Sequence, residues 1–164
     1  MSQYHIVVSL AQQALLVYRE GERLKPLKKY IISSAKKGVG GNKNSGKTPL
    51  GKHIVRAMIG QSAPENTVFV GRRPTGEIYS FELSKQYPER DWILTRIIWL
   101  SGLEKGKNRL GNVDTMQRYI YIHGTPDTEP MGEPLSHGCI RMRNKEITEL
   151  FNLIEPYTPV EIKV

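Results

Sequence analysis

The residue pattern marks one helix clearly, and it comes late. Ile147, Leu150, Phe151 and Ile154 recur at spacings of three and four, a stripe that a single helical face can bury. Asn144 stands where an N-cap belongs, and Pro156 ends the segment. Upstream the pattern is extended. His5 to Leu10 and Ala14 to Tyr18 flank AQQ in a way that suits a tight hairpin. YIIS at 30–33 and HIVRAMIG at 53–60 continue it, and RYIYIHG at 118–124 is the clearest strand. WILTRIIWL at 92–100 reads as a buried strand, although its length also suits a helix. Residues 61–90, punctuated by Gly71, Pro74, Gly76 and Pro88, read as loops and short pieces, and VEIKV closes the chain as a last strand. The expected fold is mostly β, with one well-marked C-terminal helix and short additional helices. At 164 residues it is one domain, 1–164, able to bury a core without disulfide or metal staples.

GNKNSGKT, residues 41–48, matches the G-x-x-x-x-G-K-[ST] phosphate-binding pattern at every fixed position. Such a loop works only where a helix follows and offers its N-terminal N–H groups to the phosphates. Here Thr48 precedes Pro49, which favours extended backbone, and Gly51 comes two residues later. The expected role is therefore a basic β–β loop entering a turn at TPLG, not a nucleotide site.

Net charge is +8, so the surface favours polyanions, although scattered solvated lysines give the same number. No nucleic-acid signature accompanies the charge, and no apolar run is long enough to span a membrane. The opening MSQYHIVVSL has no export-signal pattern, which leaves a cytoplasmic location open. A monomer without cofactor is expected.

Chemistry concentrates in YIHGTPDTEPMGEPLSHGCIRMRN, residues 121–144, where the only cysteine lies close to two of the four histidines. A thiol becomes a useful nucleophile when a base or cation lowers its pKa. His123 ends the strand, and a loop rich in proline and glycine could fold back to place its imidazole against Cys139. Gly138 allows a tight turn in which the N–H groups of Gly138 and Cys139 point at an oxyanion. Zinc fits poorly, because His137 and Cys139 at i and i+2 around a glycine do not follow ligand spacing. His5 and His53 lack companions and read as structural.

SHGCIRM (136–142) with the upstream HGT (123–125) resembles the active-site signature of the L,D-transpeptidase catalytic domain, the YkuD domain. The likeness extends through TPLGKHI (48–54), ILTRIIWLSG (93–102) and RYIYIHG (118–124), and TPLG resembles the family's Thr-Pro-small-Gly turn. Many members carry Asn two residues after the cysteine, where this chain has Arg141. The resemblance implies a β-rich sandwich or barrel and acyl transfer on peptidoglycan stem peptides. Cys139 would be the nucleophile, attacking the carbonyl of the third stem residue, expelling terminal D-Ala and holding the rest as a thioester. His123 would be the base, oriented by a backbone carbonyl such as that of Gly124. His137, Gly138 and Cys139 would form the oxyanion turn, with Ser136 and Arg141 shaping the site or meeting a substrate carboxylate. The acceptor would be a stem amine giving a 3→3 cross-link, a protein amine, or water, the last making an L,D-carboxypeptidase. Such a substrate implies the cell envelope or periplasm and a thiol that carbapenems acylate. The rival class is a binding module that grips polyanion or nucleotide without turnover.

Overall fold

A computed structural model of the chain describes residues 2–164. Ten strands are ordered as β1 (Tyr4–Ser9), β2 (Ala14–Arg19), β3 (Lys28–Ile31), β4 (Gly51–Ile59), β5 (Thr67–Val70), β6 (Arg73–Ile78), β7 (Ile93–Gly102), β8 (Tyr121–Thr125), β9 (Ile140–Arg143) and β10 (Pro159–Lys163). Two helices join them, α1 (Phe81–Gln86) and α2 (Asn144–Leu153), with a 3₁₀ turn at Gly111–Val113. The mostly β expectation holds, with a single long helix near the C-terminus.

The strands run β3-β2-β1-β10-β4-β7 in one path; β7 then carries β8, and β8 carries β9. Reciprocal backbone bonds between Ser33 and Arg141, 3.0 and 2.9 Å, tie β9 back to the chain just after β3. That bridge closes the sheet into a barrel-like ring. Inside lie Ile6, Val8, Leu15, Val17, Ile32, Val55, Ile98, Leu100, Ile122, Ile140 and Met142, all at most 1% exposed. Their alternation along each strand is the two-residue period of a pleated sheet with one face inward. α2 seats Ile147, Leu150 and Phe151 in the same core, each worth about 1.5–3 kcal/mol of burial.

Three expectations need correction. β8 begins at Tyr121, not Arg118, because Arg118 and Tyr119 donate to the carbonyls of Asp114 and Met116 in a turn, and Tyr119 has φ +57°. It continues past His123 to Thr125, so the histidine sits inside the strand. Asn144 does not cap α2: Arg143 holds the cap position without a side-chain bond. The Asn144 amide instead accepts from Thr95 Oγ1 at 2.5 Å and donates to Thr125 O and Asn66 Oδ1, both at 3.0 Å, pinning the helix start to β7 and β8. Residues 61–90 hold the expected loops and short pieces, which are the β5–β6 hairpin and α1, whose N-cap is Ser80.

Candidate active site

The parallel pairing of β8 with β9 builds the site. His123 lies opposite Arg141 and Ile122 opposite Ile140. Side chains alternate, so Ile122, Ile140 and Met142 enter the core while Tyr121, His123, Cys139 and Arg141 line one cavity of about 400 Å³. Parallel strands need a long crossover, and residues 126–139 supply it. That crossover delivers Cys139 at the mouth of β9.

His123 is 1% exposed, and its Nδ1 lies 2.6 Å from the carbonyl oxygen of Gly124. A carbonyl only accepts, so Nδ1 carries the proton and Nε2 keeps its lone pair. Burial lowers the histidine's pKa against the upward pull of that bond and of Asp91, so the ring is neutral at pH 7. Gly124 leaves no room for a side chain: a Cβ would overlap Asn144 Oδ1 and come within 2.6 Å of Leu94 O.

Cys139 is half-buried and packs beside Phe69, Ile97 and Tyr121. Its Sγ donates to Tyr119 O at 3.3 Å and accepts from Tyr121 N–H at 3.3 Å. The imidazole is not among its hydrogen-bond partners. Contrary to the expectation of a lowered pKa, burial pushes the thiol up to about 12, opposed by the Tyr121 N–H, Arg141 and Arg118. The resting group is therefore a thiol, parked on two backbone groups.

The turn before the cysteine is tied from both sides. Ser136 Oγ donates to Cys139 O at 2.5 Å and accepts from Gly138 N–H at 3.2 Å. Thr48 Oγ1 donates to Gly138 O at 2.9 Å and accepts from Ala35 N–H at 3.0 Å. Gly138 has φ +133°, a backbone that requires glycine. The Gly138 N–H is thus spent on Ser136 rather than aimed at an oxyanion, and the Cys139 N–H has no acceptor among the described residues. Ser136, 3% exposed, braces the turn. The GKT match is explained in the same way: Thr48 leads through Pro49 into β4, not into a helix, and its hydroxyl buttresses the turn beside the thiol.

Asp91 joins two of the expected site residues, with Oδ1 3.1 Å from Arg141 Nη2 and Oδ2 3.3 Å from His137 Nδ1. The His137 side chain is 74% exposed, whereas that of Arg141 is 10% exposed. Sequence reading missed Asp91, Arg118, Tyr119, Tyr121 and Arg72, all of which line this cavity. Tyr119 and Tyr121 stood within the clearest strand; Asp91 and Arg72 carry no local signal, since only the fold brings them there. No cluster of three or more potential metal ligands occurs among the described residues.

A family model described as the L,D-transpeptidase catalytic domain, YkuD, matches residues 3–162. No curated protein sequence matches the chain. Among solved structures, L,D-transpeptidase 3 from Mycobacterium tuberculosis, in complex with a faropenem-derived adduct, is 16% identical with a TM-score of 0.58, the match covering 99% of this chain and 61% of that one. An Enterococcus faecium L,D-transpeptidase mutant is 19% identical with a TM-score of 0.57, covering 98% and 50%. A Bdellovibrio bacteriovorus structure is 22% identical with a TM-score of 0.56, covering 98% and 48%. The chain thus spans about half to three-fifths of the length of these proteins.

Proposed function

The chain belongs to the L,D-transpeptidase catalytic-domain family, and from that premise we propose that it performs cysteine-dependent acyl transfer on peptidoglycan stem peptides. The observation that carries the proposal is the neutral, carbonyl-anchored His123 opening onto the same cavity as the chain's only thiol. Because Cys139 rests protonated, the base acts during attack and not before it. Substrate displaces Sγ from Tyr119 O, His123 Nε2 takes the thiol proton, and sulfur bonds to the carbonyl carbon of the third stem residue. The Cys139 N–H is the free donor for the oxyanion. As the C–N bond to D-alanine breaks, His123 returns the proton to the leaving amine, and the thioester waits for an acceptor.

A second reading concerns that acceptor. Three guanidiniums, of Arg72, Arg118 and Arg141, line the cavity against one carboxylate, that of Asp91. That balance repels an ammonium and is indifferent to water, which favours L,D-carboxypeptidase activity over cross-linking. Intact-mass measurement with a disaccharide tetrapeptide tests both readings. The protein should release D-alanine and gain a carbapenem adduct, and Cys139→Ala should do neither while staying folded. Turnover by folded Cys139→Ala would sink the mechanism. A free tripeptide product indicates water as acceptor, and a dimer indicates an amine.

A further inference from the structure

The three guanidiniums of the cavity are not equally engaged. Arg118 donates to Gly40 O at 3.3 Å, Ser45 Oγ at 3.2 Å and Lys47 O at 2.7 Å, holding the 36–48 loop. Arg141 is paired with Asp91. Among the described residues Arg72 has one hydrogen bond, to Tyr121 Oη at 3.1 Å, and otherwise lies over the rings of Trp99 at 5.0 Å and Tyr119 at 4.7 Å. Burial raises the pKa of the Tyr121 phenol, so that partner stays neutral. Arg72 therefore keeps its full charge and most of its five N–H donors unmatched.

The backbone makes this placement at some strain. Val70 pairs with Arg73, leaving Gly71 and Arg72 as a two-residue turn with φ of +57° and +66°. Such turns favour glycine, asparagine or aspartate, because a side chain is strained at positive φ. Here the strained position carries an arginine, and its guanidinium is steadied against two aromatic rings at the edge of the cavity.

We propose that Arg72 reads a carboxylate of the acyl donor and makes the reaction selective for substrates in which that carboxylate is free. The proposal rests on the stem-peptide reading above. Two such groups flank the scissile bond of a tetrapeptide, the terminal carboxylate of the leaving D-alanine and the side-chain carboxylate of a diamino third residue. Either suits the planar fork of a guanidinium, and amidation removes the charge with little change in size.

The test crosses three peptides with three proteins. The peptides are the free tetrapeptide, its C-terminal amide and its side-chain amide; the proteins are the parent, Arg72→Asn and Arg72→Lys. Asparagine suits the left-handed turn, so the hairpin is kept while the guanidinium is removed. In the parent, amidating the carboxylate that Arg72 reads should lower kcat/KM about ten- to hundredfold, mainly through KM, and Arg72→Asn should lower turnover of the free peptide as much. Arg72→Asn should leave that one amide unaffected, which identifies the carboxylate, and Arg72→Lys should fall between. Equal losses on all three peptides, or no loss on any, would overturn the proposal. Calorimetry on Cys139→Ala, with and without Arg72→Asn, separates the two readings. If the parent turns over none of the peptides, the acyl-transfer reading fails. Binding that still falls on amidation and on Arg72→Asn then supports the carboxylate site, and binding blind to both, or absent, rejects it.

Discussion

Two histidines in this molecule share a local design and differ in one nitrogen. His53, in β4, and His123, in β8, are each 1% exposed, and each sets Nδ1 on a glycine carbonyl, Gly51 O at 2.9 Å and Gly124 O at 2.6 Å. In both, burial is the main cause of a lowered pKa. The second nitrogen separates them. His53 Nε2 meets Thr115 Oγ1 at 2.9 Å, which completes a closed structural bond pair. His123 Nε2 has no hydrogen-bond partner among the described residues and faces the cavity that holds Cys139. A buried neutral histidine is available as a base only where one of its nitrogens is left without a partner.

The largest expected effect breaks the comparison outright. His123→Gln should lower acyl transfer by about 10²- to 10⁴-fold, the usual worth of a positioned general base. His53→Gln should leave kcat within about threefold, since it touches neither thiol nor cavity. Steady-state kinetics on folded variants checks both, and comparable losses in the two would mean that the free nitrogen does not distinguish them. The direction of the His123 shift adds a pH test. Because its pKa is lowered, the acid limb of kcat/KM should fall below the ordinary histidine value of about 6.5.

The residues show why one histidine was legible as a candidate base and the other as structural before any fold was known. His123 stands in HGT and within reach of SHGC, so neighbours in the chain announced it. His53 lacked such companions, and its partner Thr115 is named only by the fold. The same divide runs through the site. Runs of β-branched and aromatic residues made β7 and β8 readable, both buried along almost their whole length, and the three-and-four spacing of one apolar face made α2 readable. Strand β9 was hidden by its brevity, and Asp91 and Arg72 by long-range placement. The thiol's direction of shift was misread because burial, the dominant cause, is a property of packing and not of the neighbouring residue types.

Stability against pH is the next largest effect, and it belongs to His53. Its folded pKa is lowered to about 4, against about 6.5 in an unfolded chain. Above pH 6.5 both states are neutral and nothing is gained or lost. As pH falls from 6.5 to 4 the unfolded chain takes up a proton that the folded protein refuses, costing about 3 kcal/mol in all. Denaturant midpoints should therefore fall through that window. In His53→Gln the curve should start lower, with the fall reduced. An undiminished fall in His53→Gln would assign the acid sensitivity elsewhere, His123 being the next candidate.

The smallest effect tests what surrounds the open nitrogen. Asp91 is the carboxylate shared by Arg141 and His137, and its charge raises the pKa of both Cys139 and His123. Removing the charge in Asp91→Asn should move both titrations to lower pH, because the thiolate loses a repelling neighbour and the imidazolium loses an attracting one. Arg141, no longer paired, turns more of its field toward the sulfur and adds to the shift in the thiol. The iodoacetamide alkylation rate against pH should therefore rise at lower pH in Asp91→Asn than in the parent. His137→Ala keeps the carboxylate and the Arg141 pair, so its profile should overlay the parent's. If His137→Ala moves the profile as far as Asp91→Asn does, the exposed imidazole, and not the shared carboxylate, sets the charge at the thiol, and the difference between the open and the closed histidine extends to a third one.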